Sequence, residues 1–388
     1  MPGAGEAVHA TAGGMVTVAE LGEFGLIAAI AARLPRDGTT VVGIGDDAAV
    51  LAAPAGNQVA TMDLLVEGRH FRRDWSAAAD VGGKAAAQNL ADVAAMGATP
   101  VALLVGLAAP GDLPVAWAEG LVDGIAAECA RAGATVVGGD VSSADTIMIA
   151  VTALGELAGR APVTRAGARP GDVLAVAGVL GHSAAGLALL TAGLAEPASL
   201  IAAHRWPRPV YQAGPEAAAL GATSMIDVSD GLVADLGHVA QASGAGIGID
   251  TARLVPGADL LTAAAALAPA DGTGLAPPTG PAGGDSPAGG DSPAGGDGPA
   301  GGDGPAGGDR PAAGDRPAAG ARPAGERRLA PPLRWMLTGG EDHALAATFP
   351  PGTRLPAHWT VLGRVHEGHG VQVDGRPWTG RPGWDHFS

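Results

Sequence analysis

Apolar positions change their spacing along this chain, and the changes predict its elements. Val41 and Val42, and again Val50 and Leu51, form short β-branched runs among glycines and predict two short strands. Residues 18–34 (VAELGEFGLIAAIAARL) repeat apolar positions at helical spacing and predict a helix. Residues 57–64 predict a strand ending in an acid, 76–97 a helix, 100–109 a strand and 114–132 a helix. Residues 134–138 predict a strand running into Gly138-Gly139-Asp140, and 146–156 another strand. The turn-rich stretch RAGARPGD at 165–172 then opens a second half, with a strand at 172–177 and a helix at 182–193. This alternation predicts a two-domain α/β or α+β chain, divided near residue 160: residues 18–160, then 161–388, behind a disordered N-terminal extension at 1–17.

One segment has no such spacing. From Pro281 to Pro323 proline recurs at every sixth position, and Asp285, Asp291, Asp297, Asp303, Asp309 and Asp315 keep the same period. With almost no large apolar side chain, the segment cannot offset its ordering entropy. Residues of about 270–328 therefore read as a disordered insert in the second domain. The period and the missing β-forming positions rule out a calcium-binding β-helix repeat.

Composition narrows the function classes. The net charge is -16, which argues against nonspecific nucleic-acid binding. An anionic ligand must then be met by local cations or by metal. Cys129 is the single cysteine, so an internal disulfide framework and a cysteine-rich zinc site are excluded. No apolar run reaches the ~18 residues of a membrane span. The N-terminal residues lack the basic and apolar regions of a signal peptide, so a cytoplasmic protein with no membrane partner is expected.

The acids carry the chemistry. Asp46 and Asp47, then Asp63, then Asp140 each follow a predicted strand, and Asp227 and Asp230 follow an apolar run and open a helix. One such acid is an ordinary turn or cap residue. A set from several strands is what a hard cation with phosphate oxygens requires, since Mg²⁺ takes one or two carboxylates plus substrate phosphates. The known phosphate loops do not fit. GxxxxGK[ST] is absent, and the loose Gly43-x-Gly45-x-x-Ala48 pattern would turn Asp46 and Asp47 toward a pyrophosphate. Among 23 basic residues the only lysine is Lys84, and one of the two asparagines, Asn89, lies on the same predicted helix. Asp92 follows Lys84 by about two turns and shares its face. A lone lysine in an arginine-rich chain suggests a need for a compact point charge.

GIGDDAAV, TMDLLVEGRHF, GGKAAAQNLADVAAMGA, VVGGD, DVSDGL, GGEDH and GWDHF occur in an order that resembles the thiamine-monophosphate kinase family, over residues 20–270 and 330–388. That family is grouped with aminoimidazole ribonucleotide synthetase and selenophosphate synthetase. The resemblance implies an α/β N-terminal domain that forms a homodimer through its sheet, and an α+β C-terminal domain. It implies ATP-dependent, Mg²⁺-dependent phosphorylation of thiamine monophosphate to thiamine diphosphate. It further implies that Asp47, Thr61, Met62, Asp63, Asp92, Asp140, Asp227 and Asp230 hold magnesium, Met62 only through its backbone carbonyl. Asp123, Gly139, Asp140, Arg165 and Ser229 then match nucleotide contacts. His70, Glu341 and Trp384 match the thiamine monophosphate site, with Lys84 and Arg165 as cationic supports for the transfer. The family usually reads GGEDY where this chain has Gly339-Gly340-Glu341-Asp342-His343. Two alternatives stand beside this reading: another ATP-using enzyme of the same superfamily, and a noncatalytic nucleotide- or metal-binding homologue. The position of Cys129, in mid-helix, argues against the cysteine-dependent relatives.

Overall fold

In the first half of the chain, alternating strands and helices build a four-stranded sheet with two helices on one face. The computed structural model describes residues 58–268 and 329–383, with Thr17, Glu20, Leu21, Ala29, Ile30, Ala32, Arg33, 40–42, 50 and 51. Asp46, Asp47, Trp384, the insert, all of the N-terminal extension but Thr17 and most of the predicted 18–34 helix lie outside the described residues. The two predicted short strands form: Thr40–Val42 (β1) pairs antiparallel with Val50–Leu51 (β2).

The sheet comprises Gln58–Val66 (β3), Thr99–Ala109 (β4), Thr135–Ser143 (β5) and Met148–Glu156 (β6), in the order β3-β6-β4-β5. β4 and β5 are its parallel pair, joined through a crossover helix; the other pairings are antiparallel. The helices are Ala78–Ala95 (α1) and Val115–Ala132 (α2). They cross so closely that a Cβ on Gly82 would lie 1.9 Å from the Leu121 carbonyl oxygen, and one on Gly124 2.0 Å from that of Ala79. Alternate residues Leu65, Leu103, Ile149 and Val151 turn toward these helices into the core. The opposite face carries Met62, Leu64 and Leu104, which stay exposed.

The second half adds Val173–Ala177 (β7), Ser224–Val228 (β8), Gly246–Ile249 (β9), Ala344–Phe349 (β10), Trp359–His366 (β11), Gly370–Val373 (β12) and Arg376–Pro377 (β13). They form a seven-stranded mixed sheet, in the order β13-β12-β9-β11-β7-β10-β8. Its helices include His182–Thr191 (α3), Ala198–Arg205 (α4), Ala213–Ala219 (α5), Leu232–Ser243 (α6), Ala258–Ala266 (α7) and Pro331–Thr338 (α8). β7 and β10 are apolar at nearly every position because both faces are covered. Ala175, Ala177, Leu345 and Phe349 join the core of the first half. Leu174, Val176 and Ala346 join a second core with Leu189, Leu232 and Met336.

Two local expectations are corrected. The spacing predicts Asp63 and Asp140 at strand ends, but Asp63 sits inside β3 and Asp140 inside β5; it predicts that Asp227 opens a helix, but Asp227 sits inside β8 and the helix starts at Leu232. The pairing explains this: β3 stays in register with β6 from Gln58 to Val66, and β5 follows β4 out to Ser143. Polar residues continue these strands because backbone pairing, not side-chain burial, holds their outer ends.

Candidate active site

β3 alternates, so Thr61 and Asp63 turn toward α1 while Met62 turns to the open face. The side chain of Met62 is therefore separated from the acids, and only its backbone can serve them. The buried Asn89 of α1 accepts the Asp63 N–H at 2.9 Å and donates to the Ala85 carbonyl at 2.9 Å. The Thr61 hydroxyl donates to Asp92 Oδ2 at 2.9 Å. Burial, then the charges of Asp227 and Asp63, push the Asp92 carboxyl up to about 7. Three carboxylates from β3, α1 and β8 thus stand close enough to resist one another's ionisation. Asp235 accepts the N–H groups of Asp230 and Gly231 at 3.1 and 3.0 Å. Burial, with Asp227 and Asp230 nearby, raises its carboxyl to about 8.

This donor set suits a hard divalent cation: it is all oxygen, and its mutual repulsion is what such a cation relieves. Among the described residues, no three His, Cys, Asp or Glu side chains are grouped closely enough to hold one ion by themselves.

A second cluster adjoins this one through the GGEDH segment. Glu341 and His343 both adopt positive φ, 63° and 52°. For non-glycine residues this is strained backbone, held here by bonds from the Glu341 N–H to the Ser229 carbonyl at 2.7 Å and the His343 N–H to the Val228 carbonyl at 2.9 Å. His343 Nδ1 lies 3.0 Å from Asp227 Oδ2. Burial disfavours its cation, but Asp227, with Asp92 and Glu341, outweighs that and raises its affinity for a proton. Glu341 Oε1 lies 2.8 Å from Lys84 Nζ, and its Oε2 lies 3.3 Å from His204 Nδ1. Lys84 is only 2% exposed and donates its other contact to the His70 carbonyl at 3.2 Å. Burial opposes ionisation of Glu341, yet Lys84 and His204 hold its carboxyl well below the usual range. His70 Nδ1 accepts the Val66 N–H at 2.9 Å.

The predicted residues divide into three groups. Thr61, Asp63, Asp92 and Asp227 converge, with Asp230 beside them; Lys84, His70 and Glu341 form the adjoining cluster. The helix face shared by Lys84 and Asp92 does not become a shared site, because Lys84 turns to Glu341 and Asp92 to Thr61. Ser229 touches the second cluster through its carbonyl, which accepts the Glu341 N–H; Asp123, Gly139, Asp140 and Arg165 stand on other elements, and Asp47 and Trp384 lie outside the described residues. Asp123 is exposed on α2 with Arg33 Nε 3.6 Å away. Asp140 stands opposite Gly106 on the open sheet face, next to Gly139, where any Cβ would meet the Val105 carbonyl at 1.9 Å. Arg165 is exposed, and its carbonyl accepts the Ser243 hydroxyl at 3.0 Å. Sequence reasoning missed Ser183, His204, Asp235 and Asp342. Asp235 had a signal, five residues beyond Asp230 in an acid-rich helix start; Ser183 and His204 had none.

Residues 45–157 match the family described as AIR synthase related protein, N-terminal domain. The thiamine-monophosphate kinase of Mycobacterium tuberculosis H37Rv is 41% identical over 380 residues, covering 98% of this chain and 96% of that protein. The Aquifex aeolicus enzyme of the same name is 32% identical over 372 residues, 95% of this chain and 99% of that one. Among solved structures, AaThiL complexed with AMPPCP and TMP superposes with a TM-score of 0.65 at 30% identity, over 95% of this chain and 98% of that one. A thiamine-monophosphate kinase from Stenotrophomonas maltophilia K279a gives 0.66 at 28% identity, over 91% and 95%. The hydrogenase maturation protein HypE, at 15% identity and a TM-score of 0.59 over 86% of this chain and 90% of that one, shares the fold.

Proposed function

The chain belongs to the thiamine-monophosphate kinase family, and from that premise we propose that it transfers the γ-phosphate of ATP to thiamine monophosphate (TMP). A terminal phosphate oxygen of TMP forms the new P–O bond to the γ-phosphorus. The bond from γ-phosphorus to the bridging β–γ oxygen breaks, and thiamine diphosphate and ADP leave. The nucleophile is already largely ionised near neutral pH, since a phosphate monoester has its second pKa near about 6. No strong general base is therefore required, and a covalent phosphoenzyme is not part of the scheme. The protein's work is positioning and charge compensation.

The observation that carries this is the convergence of Asp63, Asp92 and Asp227, drawn from both halves of the chain and side by side with Glu341. Such a grouping would repel polyphosphate unless cations intervened. We assign Mg²⁺ to Asp47, Thr61, the Met62 carbonyl, Asp63, Asp92, Asp140, Asp227 and Asp230. When bound, Mg²⁺ supplies neutralisation and alignment of the phosphate oxygens. Asp123, Gly139, Asp140, Arg165 and Ser229 are assigned to the nucleotide, with Arg165 as the cation for its phosphates. His70, Glu341 and Trp384 are assigned to TMP. Because its Nδ1 accepts from Val66, neutral His70 keeps its proton on Nε2 as a donor.

The open face of the four-stranded sheet, with Met62 58%, Leu64 44% and Leu104 36% exposed, supports a homodimer formed through that sheet. The direct test of the activity is ADP release coupled to both TMP and Mg²⁺. ADP formed equally fast without TMP, or none with all components present, would overturn it.

A further inference from the structure

The geometry points to Lys84 as a positioning residue that ties His70 to Glu341, one from each half of the chain, into a single TMP-binding wall, with His204 and Ser183 fixing the far oxygen of Glu341. The inference rests on the assignment of His70 and Glu341 to TMP.

Burial and its two contacts favour a positioning role for Lys84 over a direct one at the transferred phosphate. At 2% exposure Lys84 presents almost no surface to a ligand. Its contacts go to Glu341 Oε1 at 2.8 Å and the His70 carbonyl at 3.2 Å. An ammonium suits this because its donors diverge from one small atom; a planar guanidinium cannot reach the same two acceptors from the same buried stem. The lone lysine of an arginine-rich chain is thereby accounted for.

Glu341 is held at both oxygens. Oε2 lies 3.3 Å from His204 Nδ1 and 3.5 Å from the Ser183 hydroxyl, which is itself 3.1 Å from the same ring nitrogen. Burial, then the Lys84 charge, keep His204 from becoming a cation, so it offers a hydrogen bond and not a second counter-charge. The carboxylate is fixed and ionised while its side chain stays 34% exposed. A partly exposed, immobilised carboxylate recognises a cation or an amino donor. TMP presents both, in its thiazolium and its aminopyrimidine, and the polyphosphate of ATP presents neither. Loss of Lys84 should therefore weaken TMP and spare ATP.

The test is steady-state kinetics of the full chain, with TMP and ATP varied separately, for Lys84→Met, Lys84→Arg, Glu341→Gln, His204→Asn and the Lys84→Met/Glu341→Gln pair. Lys84→Met is expected to raise KM for TMP at least tenfold and to leave KM for ATP within twofold. Lys84→Arg and His204→Asn should show the same split with smaller changes. The double variant should lose less than the product of the single losses, because both changes break one contact. Calorimetric titrations with TMP and with AMPPCP supply the same split where turnover is too slow to measure. If Lys84→Met fails to fold, His204→Asn and Lys84→Arg carry the test. A fall in kcat or a rise in KM for ATP, with KM for TMP unchanged, would make Lys84 a catalytic cation and overturn the inference. An unchanged KM for TMP in Glu341→Gln would instead overturn the assignment of Glu341 to substrate.

Discussion

The proposed Mg²⁺ site is tested most directly at Asp92. Its carboxyl is raised by burial and by Asp227 and Asp63, so three acids are held together against their own repulsion. An asparagine would keep the acceptor for the Thr61 hydroxyl and remove the repulsion. Asp92→Asn should therefore melt at the same or a higher temperature than wild type in EDTA, yet lose the stabilisation that Mg²⁺ gives and at least about a hundredfold of turnover. A lower melting temperature in EDTA would make Asp92 a structural acid. The acids were legible in the sequence because carboxylates in apolar runs are costly and stand out, and Lys84 because lysine is otherwise missing. His204 and Ser183 were not legible. Their partner Glu341 lies 158 residues beyond Ser183, and nothing local marks a histidine in a short helix as one that faces a carboxylate.

Two helices depend on acids that are not their own. Asp342 is buried at the start of α3, where it accepts the N–H groups of Gly181 at 2.5 Å and Ser183 at 2.8 Å. Burial raises its carboxyl to about 7, although both N–H donors favour the anion. The folded chain thus holds this proton to higher pH than an unfolded aspartate, which releases it near about 3.9. The contribution to stability is fully present below that value and falls as pH rises to about 7. Asp342→Asn should flatten this part of the stability–pH curve, read by urea denaturation at pH steps from 4 to 8; an unchanged slope would refute it. Glu128, fully buried in α2, accepts from Tyr211 at 2.5 Å, Trp206 Nε1 at 2.8 Å and Arg131 at 2.5 Å. It ties α2 to the chain just after α4, the helix that carries His204. Glu128→Ala should cost about 3–5 kcal/mol, the scale for breaking a buried charged cluster. A loss under about 1 kcal/mol in denaturant titration would show the cluster relaxes onto water. The helices and strands themselves were largely legible, because α1 and α2 have clear 3.6-residue spacing and β7 a continuous apolar run. Their polar ends were not: β5 runs five residues past its predicted end, since ladder pairing with β4 needs no apolar side chain.

At the scale of the whole molecule, the sequence could not show that one face of β7 and β10 packs into the core of the first half. Those contacts join residues far apart in the chain and leave no local period. What the sequence did contain, without marking it, is the open sheet face. Leu104 on β4 lies opposite Thr152 on β6, and Thr152 opposite Met62 on β3, so their exposed side chains share one surface. A surface of this kind is costly in water and suits a second copy of itself. A two-fold interface presents every substitution twice, so a glutamate placed there meets a desolvated surface and the field of its own copy. Leu104→Glu should therefore convert a particle of twice the 37.6 kDa chain mass into one of a single chain. Its melting temperature should fall with the loss of the partner, in a concentration-dependent manner for wild type only. Sedimentation velocity at micromolar concentrations reads both species directly. A wild-type chain that sediments as a monomer would rule out the dimer, and a Leu104→Glu dimer would move the interface to another face.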